Sequence, residues 1–238
     1  MPVDAVIFDW GGTLTPWKTM DFDAETLALA EAVKPPYDGD ISQALRAAGD
    51  LIWARARDEH RSATIEELFT VAGLILDESR LTAYREFWEP ATALDPDVPE
   101  LLGDLRTRGI KVGVLSNTVW PRQWHEEIFA RDGVLELLDG AVYSSEIPWT
   151  KPHPEAFRAA MDAVAADEPG RCVFVGDRPF EDIHGAKQAG MRAVLVPHSV
   201  IPESQRGHTD GEPDAVVTRL SELPTVIDTW RDATPPPA

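Results

Sequence analysis

The chain has a single cysteine, Cys172, among its 238 residues, so no disulfide can form within it. Cys172 lies in the apolar run Arg171-Cys-Val-Phe-Val, where a free thiol reads as buried packing rather than as a nucleophile. Basic residues are scarce: 22 Lys and Arg stand against 41 Asp and Glu, for a formal net charge of -19. No block of Lys or Arg offers a footprint for a phosphate backbone or an anionic lipid surface, so neither nucleic acid nor membrane is expected as a partner. Long hydrophobic runs are also missing. The N-terminus enters a short apolar strand with no basic segment and long apolar stretch before it, so no signal peptide or membrane helix is expected, and the location expected is cytoplasmic and reducing. None of the 6 histidines pairs with another at metal-ligand spacing, which argues against zinc. With neither a P-loop nor a Gly-x-Gly-x-x-Gly fingerprint, a nucleotide cofactor is not indicated.

What is present is an alternation. Residues 3–9 form a nearly continuous apolar run ending at glycines, the pattern of a strand buried on both faces of a parallel sheet. Similar runs recur at 110–116, 141–145, 172–176 and 193–197, with a weaker one at 214–217. Helical spacing fills the intervals at 99–108, 121–131, 154–166, 180–189 and 219–230, and Pro99, Pro121 and Pro154 stand where a helix start tolerates proline. This predicts an α/β fold, a Rossmann-like doubly wound parallel sheet. Residues 17–95 contain no convincing strand. There Leu27, Ala30 and Val33 share one helical face, Ile41, Leu45 and Ala48 another, and Ile65, Leu68, Phe69 and Ala72 a third. The predicted organisation is a core of residues 1–16 and 96–232, an inserted all-helical cap of 17–95 returning through the hinge at 95–99, and a proline-rich tail at 233–238.

Ligands of an open parallel sheet gather outside the carboxyl ends of its strands. The polar residues that end the apolar runs are Asp9, Ser116 with Asn117, and Asp177, and Lys151 follows in the loop after Ser145. A carboxylate nucleophile, a hydroxyl, an ammonium and a second carboxylate suit phosphoryl transfer, in which the charge of the transferred group must be neutralised. Mg²⁺ shared by Asp9, Asp177 and a phosphate oxygen would screen the approach of a carboxylate to phosphate. Ser116 and the Asn117 backbone N–H would hold other phosphate oxygens.

In order, Asp9-Trp-Gly-Gly-Thr13-Leu14-Thr15, Val114-Leu115-Ser116-Asn117, Lys151-Pro152, and Gly176-Asp177 followed by Asp182 resemble the four motifs of the haloacid dehalogenase superfamily. The helix after the fourth motif, with Gly185-Ala186 and Ala189-Gly190, is similar to its first subfamily, and the helical insertion falls at the position of that subfamily's C1-type cap. The resemblance implies a hydrolase with Asp9 as covalent nucleophile, Ser116 and Lys151 as catalytic partners, and Asn117 and Thr13 binding substrate. It also implies Mg²⁺ on Asp9, the Gly11 carbonyl and Asp177, with Asp182 holding the cluster, in part through metal-bound water. The substrate implied is a small phosphorylated metabolite, passing through an aspartyl phosphate.

The chain departs from that pattern at Gly11, where most phosphatases of the superfamily carry a second Asp as general acid and base, a role worth roughly 10² to 10⁴ fold. A substrate with a good leaving group, a substitute such as Glu181, His184 or a cap residue, or a non-catalytic phosphate-binding or regulatory protein would each accommodate the loss. The Asp-Trp-small-Gly-Thr pattern is also similar to the phosphonoacetaldehyde hydrolase branch, which cleaves a carbon–phosphorus bond with a cap lysine. The cap lysines here, Lys18 and Lys34, do not stand in that branch's motif. A haloacid dehalogenase, which lacks the second Asp and normally needs no Mg²⁺, is a further alternative.

Within the cap, Trp53, Arg55, Arg57, His60 and Arg61 form a cationic stretch. Trp53, Arg57 and Arg61 at spacing four would share a face able to meet an anionic substrate, so Arg57 and Arg61 are candidate binding residues, with pairing to Asp50, Asp58 and Glu59 as the simpler reading. Trp10, Trp17, Trp120 and Trp149, near the motifs, suggest an aromatic mouth. Oligomeric state is not encoded in any of these features.

Overall fold

The computed structural model describes residues 2–36, 39–201 and 211–232, so the tail expected at 233–238 lies outside the described residues. Its centre is a six-stranded sheet of β1 (Ala5–Phe8), β2 (Lys111–Ser116), β3 (Gly140–Tyr143), β4 (Cys172–Gly176), β5 (Arg192–Leu195) and β6 (Ala215–Val216). All pairings are parallel and the order is β3-β2-β1-β4-β5-β6. β1 and β4 are buried at every position because apolar side chains leave both faces of the sheet. Val6 and Phe8 point to one face, against Leu101, Leu102 and Leu105 of α5 (Val98–Thr107) and Leu223 and Ile227 of α9 (Leu223–Asp232). Ala5 and Ile7 point to the other, against Ala156, Phe157 and Ala160 of α7 (Pro154–Ala163) and Ala186 of α8 (Gly185–Gln188). The strand period of two thus divides one core into two layers. No helix among the described residues is long and apolar enough to cross a membrane.

Several expected elements end differently. The run at 141–145 stops pairing at Tyr143, and Ser144–Glu146 forms a single 3-10 turn in which the Ser144 hydroxyl accepts from the Thr118 N–H at 2.8 Å. The helix expected at 180–189 begins as a π-helical turn, Pro179–His184, and becomes α-helical only at Gly185. The one expected at 219–230 opens with a 3-10 turn, Leu220–Glu222.

Between β1 and α5 the chain forms α1 (Phe22–Ala30), α2 (Ile41–Glu59), α3 (Ile65–Val71) and α4 (Thr82–Trp88). Asp21, Asp40 and Thr64 cap the first three with side-chain oxygens on backbone N–H groups. Their inner faces make a third apolar cluster of Leu29, Val33, Leu45, Ile52, Leu68 and Phe69 among others. The expected face of α1 is corrected: Leu27 is 62% exposed, and Leu29 turns inward at 6%, in step with Ala32 and Val33 three and four residues on. α2 ends at His60, whose left-handed φ of 54° turns the chain out of the helix.

The helices are seated on the sheet domain largely by main chain. The Asp95 N–H bonds the Leu14 carbonyl at 2.8 Å, so the outgoing and returning strands of the insertion are tied together. The Ile65 N–H bonds Val119 O at 3.0 Å, the Ser62 N–H bonds Pro148 O at 3.2 Å, and the Thr150 N–H bonds His60 O at 2.9 Å. One side chain crosses deeply in the other direction: Trp120, in the loop after β2, is buried in the helical cluster and donates its indole N–H to the Tyr84 hydroxyl at 3.1 Å. Trp120→Ala is expected to destabilise the protein by about 3–5 kcal/mol, the range for deleting a buried large aromatic. Urea unfolding measures this directly, and Trp120→Phe is expected to recover part of the loss.

Candidate active site

Asp9 follows β1 at the carboxyl edge of the sheet, where β2 and β4 flank it on opposite sides. That is the point at which successive connections diverge and a crevice opens. The Asp9 N–H is bonded to Val175 O at 2.8 Å, which fixes the backbone from which the carboxylate projects. Lys151 reaches it from the loop before α7. Its ammonium donates to Asp9 Oδ1 and, at 2.7 Å, to Asp182 Oδ1. The other oxygen of Asp182 accepts from the backbone N–H groups of Asp177 and Arg178 at 3.0 and 2.9 Å. This local side-chain bond holds the turn after β4 and sets the π-helical start of the next helix. It requires glycine before Asp177, because a Cβ on Gly176 would lie 2.4 Å from Asp182 Cγ. Gly12, at φ 92°, makes the same allowance for Asp177, whose Oδ2 would stand 2.4 Å from a Cβ there.

Asp9, Asp177 and Asp182 each offer an oxygen within 4.8 Å of the others, and all three are buried. Against these three carboxylates stand the ammonium of Lys151 and, 3.7 Å from Asp177 Oδ2, the guanidinium of Arg178, so the carboxylates outnumber the cations in a desolvated space. Burial pushes Asp9 from 3.8 up to about 6, with Lys151 opposing and Asp182 adding to the rise. Burial, then the Asp9 and Asp182 charges, push Asp177 up to about 9. Burial alone would pull Lys151 down, but Asp182 and Asp9 outweigh it and hold the ammonium above its ordinary range. Glu181 is raised to about 7, first by burial and then by Asp182. Asp177 Oδ1 is buried with no hydrogen-bond partner among the described residues, while Oδ2 accepts from the Ser199 hydroxyl. Three clustered buried carboxylates and an unpartnered carboxylate oxygen fit a hard divalent cation with oxygen ligands.

The other expected site residues divide. Ser116 closes β2 at the same sheet edge and is buried. Thr13 is buried in the turn that follows Asp9, and its hydroxyl has no partner among the described residues. Gly11 is exposed, with nothing within 4 Å of where a Cβ would stand. The Asn117 side chain is committed to main chain: its amide donates to Lys151 O at 3.1 Å and its Oδ1 accepts from the Lys151 N–H at 2.8 Å. Asn117 therefore braces the lysine, and its backbone N–H is what it can offer a ligand. Asp182, expected with the metal, has both oxygens engaged by Lys151 and the turn.

The cap arginines are not gathered as one face. Arg57 forms a two-point pair with its neighbour Asp58 at 2.7 and 2.8 Å on the exposed surface, the simpler of the two readings. Arg55 is held by Glu67 and Ser62 O. Arg61 lies beyond the end of α2, with its guanidinium 4.9 Å from the Trp149 ring centroid, so the spacing-four face is broken at His60. Nor is the aromatic mouth formed as expected. Trp10 packs on Trp120 and His125 inside the seam, while Trp17 lies under Arg178 and Trp149 stacks on His153. Sequence reasoning left three neighbours unselected. Ser199 bonds Asp177, Phe180 lies in the π-helical turn, and His60 packs on Phe180 with ring centroids 6.2 Å apart. Ser199 and Phe180 carry no motif, and His60 was visible only as one member of a cationic stretch.

Without a cation, Asp9 and Asp177 have folded pKa values of about 6 and about 9 against an ordinary 3.8. Because the folded values are raised, the protonated forms favour the fold; that contribution is complete below about pH 4 and is lost as pH rises through the folded values. A divalent cation must displace these protons, so its apparent affinity is expected to climb between about pH 6 and 9, by up to about tenfold per unit for each proton released. Titrations of Mg²⁺ followed by calorimetry in buffers of different ionisation enthalpy read both the affinity and the proton release. An affinity independent of pH would place the ion elsewhere.

Comparison with known proteins extends over most of the chain. A glyceraldehyde 3-phosphate phosphatase of Methanopyrus kandleri is 26% identical over 94% of this chain and 97% of its own length. One from Methanothermobacter thermautotrophicus is 34% identical, over 56% of this chain and 58% of that protein, so that match spans little more than half of either. A solved structure of a HAD phosphatase from Thermococcus onnurineus superposes with a TM-score of 0.65 at 24% identity, covering 94% of this chain and 98% of that one, a likeness of fold. The family model of haloacid dehalogenase-like hydrolases matches residues 3–190, and the chain belongs to that family.

Proposed function

We propose that this protein is a Mg²⁺-dependent phosphatase of a small phosphorylated metabolite that works through a phosphorylated Asp9. The observation that carries the reading is the buried contact of Lys151 with both Asp9 and Asp182 beside an unpartnered Asp177 oxygen. Asp9 attacks phosphorus in line, a P–O bond forms at its carboxylate, and the bond to the leaving oxygen breaks. Lys151 orients the attacking carboxylate and stabilises charge on the transferring group. The Ser116 hydroxyl and the Asn117 N–H hold phosphoryl oxygens, with the Thr13 hydroxyl as a further donor. Asp9, the Gly11 carbonyl and Asp177 would hold the ion, which when bound neutralises charge on the phosphoryl group. Water then attacks the aspartyl phosphate and regenerates Asp9. Residues 17–95 serve as the cap that excludes bulk water.

The relatives named as glyceraldehyde 3-phosphate phosphatases support a substrate of triose phosphate size, and the seated cap supports a small one. Carbon–phosphorus cleavage is disfavoured because it needs a cap lysine at the site. Lys18 is exposed and bonded to the Pro90 carbonyl, and Lys34 is exposed. The test is phosphate release from p-nitrophenyl phosphate with Mg²⁺, with EDTA, and by Asp9→Asn. EDTA and Asp9→Asn are each expected to lower kcat by at least about a thousandfold, since nucleophile and ion act as a unit. Turnover that survives either one refutes the reading.

A further inference from the structure

An in-line displacement puts the leaving oxygen on the side of phosphorus opposite the nucleophile. Asp9 stands at the sheet edge and attacks outward, so the leaving group departs toward the helices that cover that edge. Position 11, from which an acid would reach it, is a glycine with open space at its Cβ. A substrate with a poor leaving group then needs its proton from another residue that faces this space. Resting on the phosphatase reading above, we propose that His60 is the general acid and base of this enzyme, supplied by the cap in place of a side chain at position 11.

Four features of His60 carry this. Its carbonyl accepts from the Thr150 N–H at 2.9 Å, one residue before Lys151, whose ammonium grips the nucleophile. Its ring packs against Phe180, in the π-helical turn that also carries Asp182. His60 is thus held by both segments that assemble the site, its backbone by Thr150 and its ring by Phe180. Its Nδ1 is buried and has no hydrogen-bond partner among the described residues, which is costly unless a ligand or solvent meets it. Finally, the residue is held at φ 54°, a conformation that non-glycine residues adopt at some cost, and glycine or asparagine would have ended α2 more cheaply. A histidine in that position makes sense if its ring is needed there.

The chemistry balances without any further reactant. As the Asp9–phosphorus bond forms and the bond to the leaving oxygen breaks, imidazolium passes its proton to the departing alkoxide. In the second half, neutral imidazole takes a proton from the attacking water as the Asp9–phosphorus bond breaks. Phosphate leaves, and imidazolium and carboxylate are restored.

The test compares two substrates that differ in leaving group, p-nitrophenyl phosphate and glycerol 2-phosphate, in two variants. His60→Asn keeps a residue tolerant of the left-handed conformation, and His60→Phe keeps a ring against Phe180. An acid matters most where the leaving group is poor. Both variants are expected to lose about a hundredfold in kcat on glycerol 2-phosphate and at least tenfold less on p-nitrophenyl phosphate. Adding Gly11→Asp to either is expected to restore the glycerol 2-phosphate rate preferentially. Equal losses on the two substrates would reduce His60 to a structural part of the seam, and no loss would dismiss it. A preferential loss in Glu181→Gln with none at His60 would hand the role to that carboxyl. If the wild-type protein shows no EDTA-sensitive turnover of p-nitrophenyl phosphate, the phosphatase reading itself falls. If it does and the His60 variants lose both substrates in parallel, only the assignment of His60 falls.

Discussion

The ammonium of Lys151 is the point on which the rest of the site depends. It is buried between Asp9, which ends the first strand, and Asp182, which lies in the turn after the fourth. Each partner is tied onward: Asp9 through its N–H to Val175, Asp182 through its second oxygen to the N–H groups of Asp177 and Arg178, and the lysine backbone on both sides to the Asn117 amide. Segments far apart in sequence are thereby locked at one distance around one charge. Such a charge is tolerable in the interior only because it is paired and hydrogen-bonded, and removing one partner from a buried pair costs roughly 3–5 kcal/mol. The same constraint explains the glycines at 12 and 176, which leave room for Asp177 and Asp182 to come this close.

The central strands were legible because a parallel sheet covered on both faces demands residues without charge or polar side chains at every position, and Ala5–Phe8 and Cys172–Gly176 obey that demand. Strand and helix ends were less so. The π-helical start at Pro179–His184 goes with the Asp177 and Arg178 N–H groups donating to the Asp182 carboxylate, which no local propensity encodes, and the end of β3 goes with the tie between Ser144 and Thr118. On α1 the apolar residues are spread so evenly that Leu27 and Leu29 compete for the inner face, and only packing against the neighbouring helices decides for Leu29.

For the site, strand-end position was a sound guide. Asp9, Ser116 and Asp177 lie at one edge, with Lys151 brought to it by a loop. What sequence could not convey was how each residue divides its hydrogen bonds. Asn117 turned out to hold a lysine backbone with its side chain, and Asp182 to hold a turn. Nearness in sequence to a motif also proved a weak sign of a shared mouth, since Trp10 and Trp120 pack with His125 while Trp17 and Trp149 lie against Arg178 and His153. The cap arginines failed as a group for a local reason: a charged neighbour one residue away captured Arg57, and the left-handed turn at His60 carried Arg61 off the helix.

The seating of the cap has a consequence for how such a protein can diverge. Its contacts at Ser62 with Pro148, His60 with Thr150, Ile65 with Val119 and Asp95 with Leu14 run between amide and carbonyl groups, which every residue but proline possesses in full. These ties are independent of which side chains residues 60–65 and 95 carry, while the side-chain contacts of the seam gather around Trp120 and Tyr84. Under the proposed function, substitutions on the inner faces of residues 17–95 would alter the choice of substrate while these main-chain ties persist. Inheritance of the chemistry and innovation in recognition are separated by the difference between main chain and side chain.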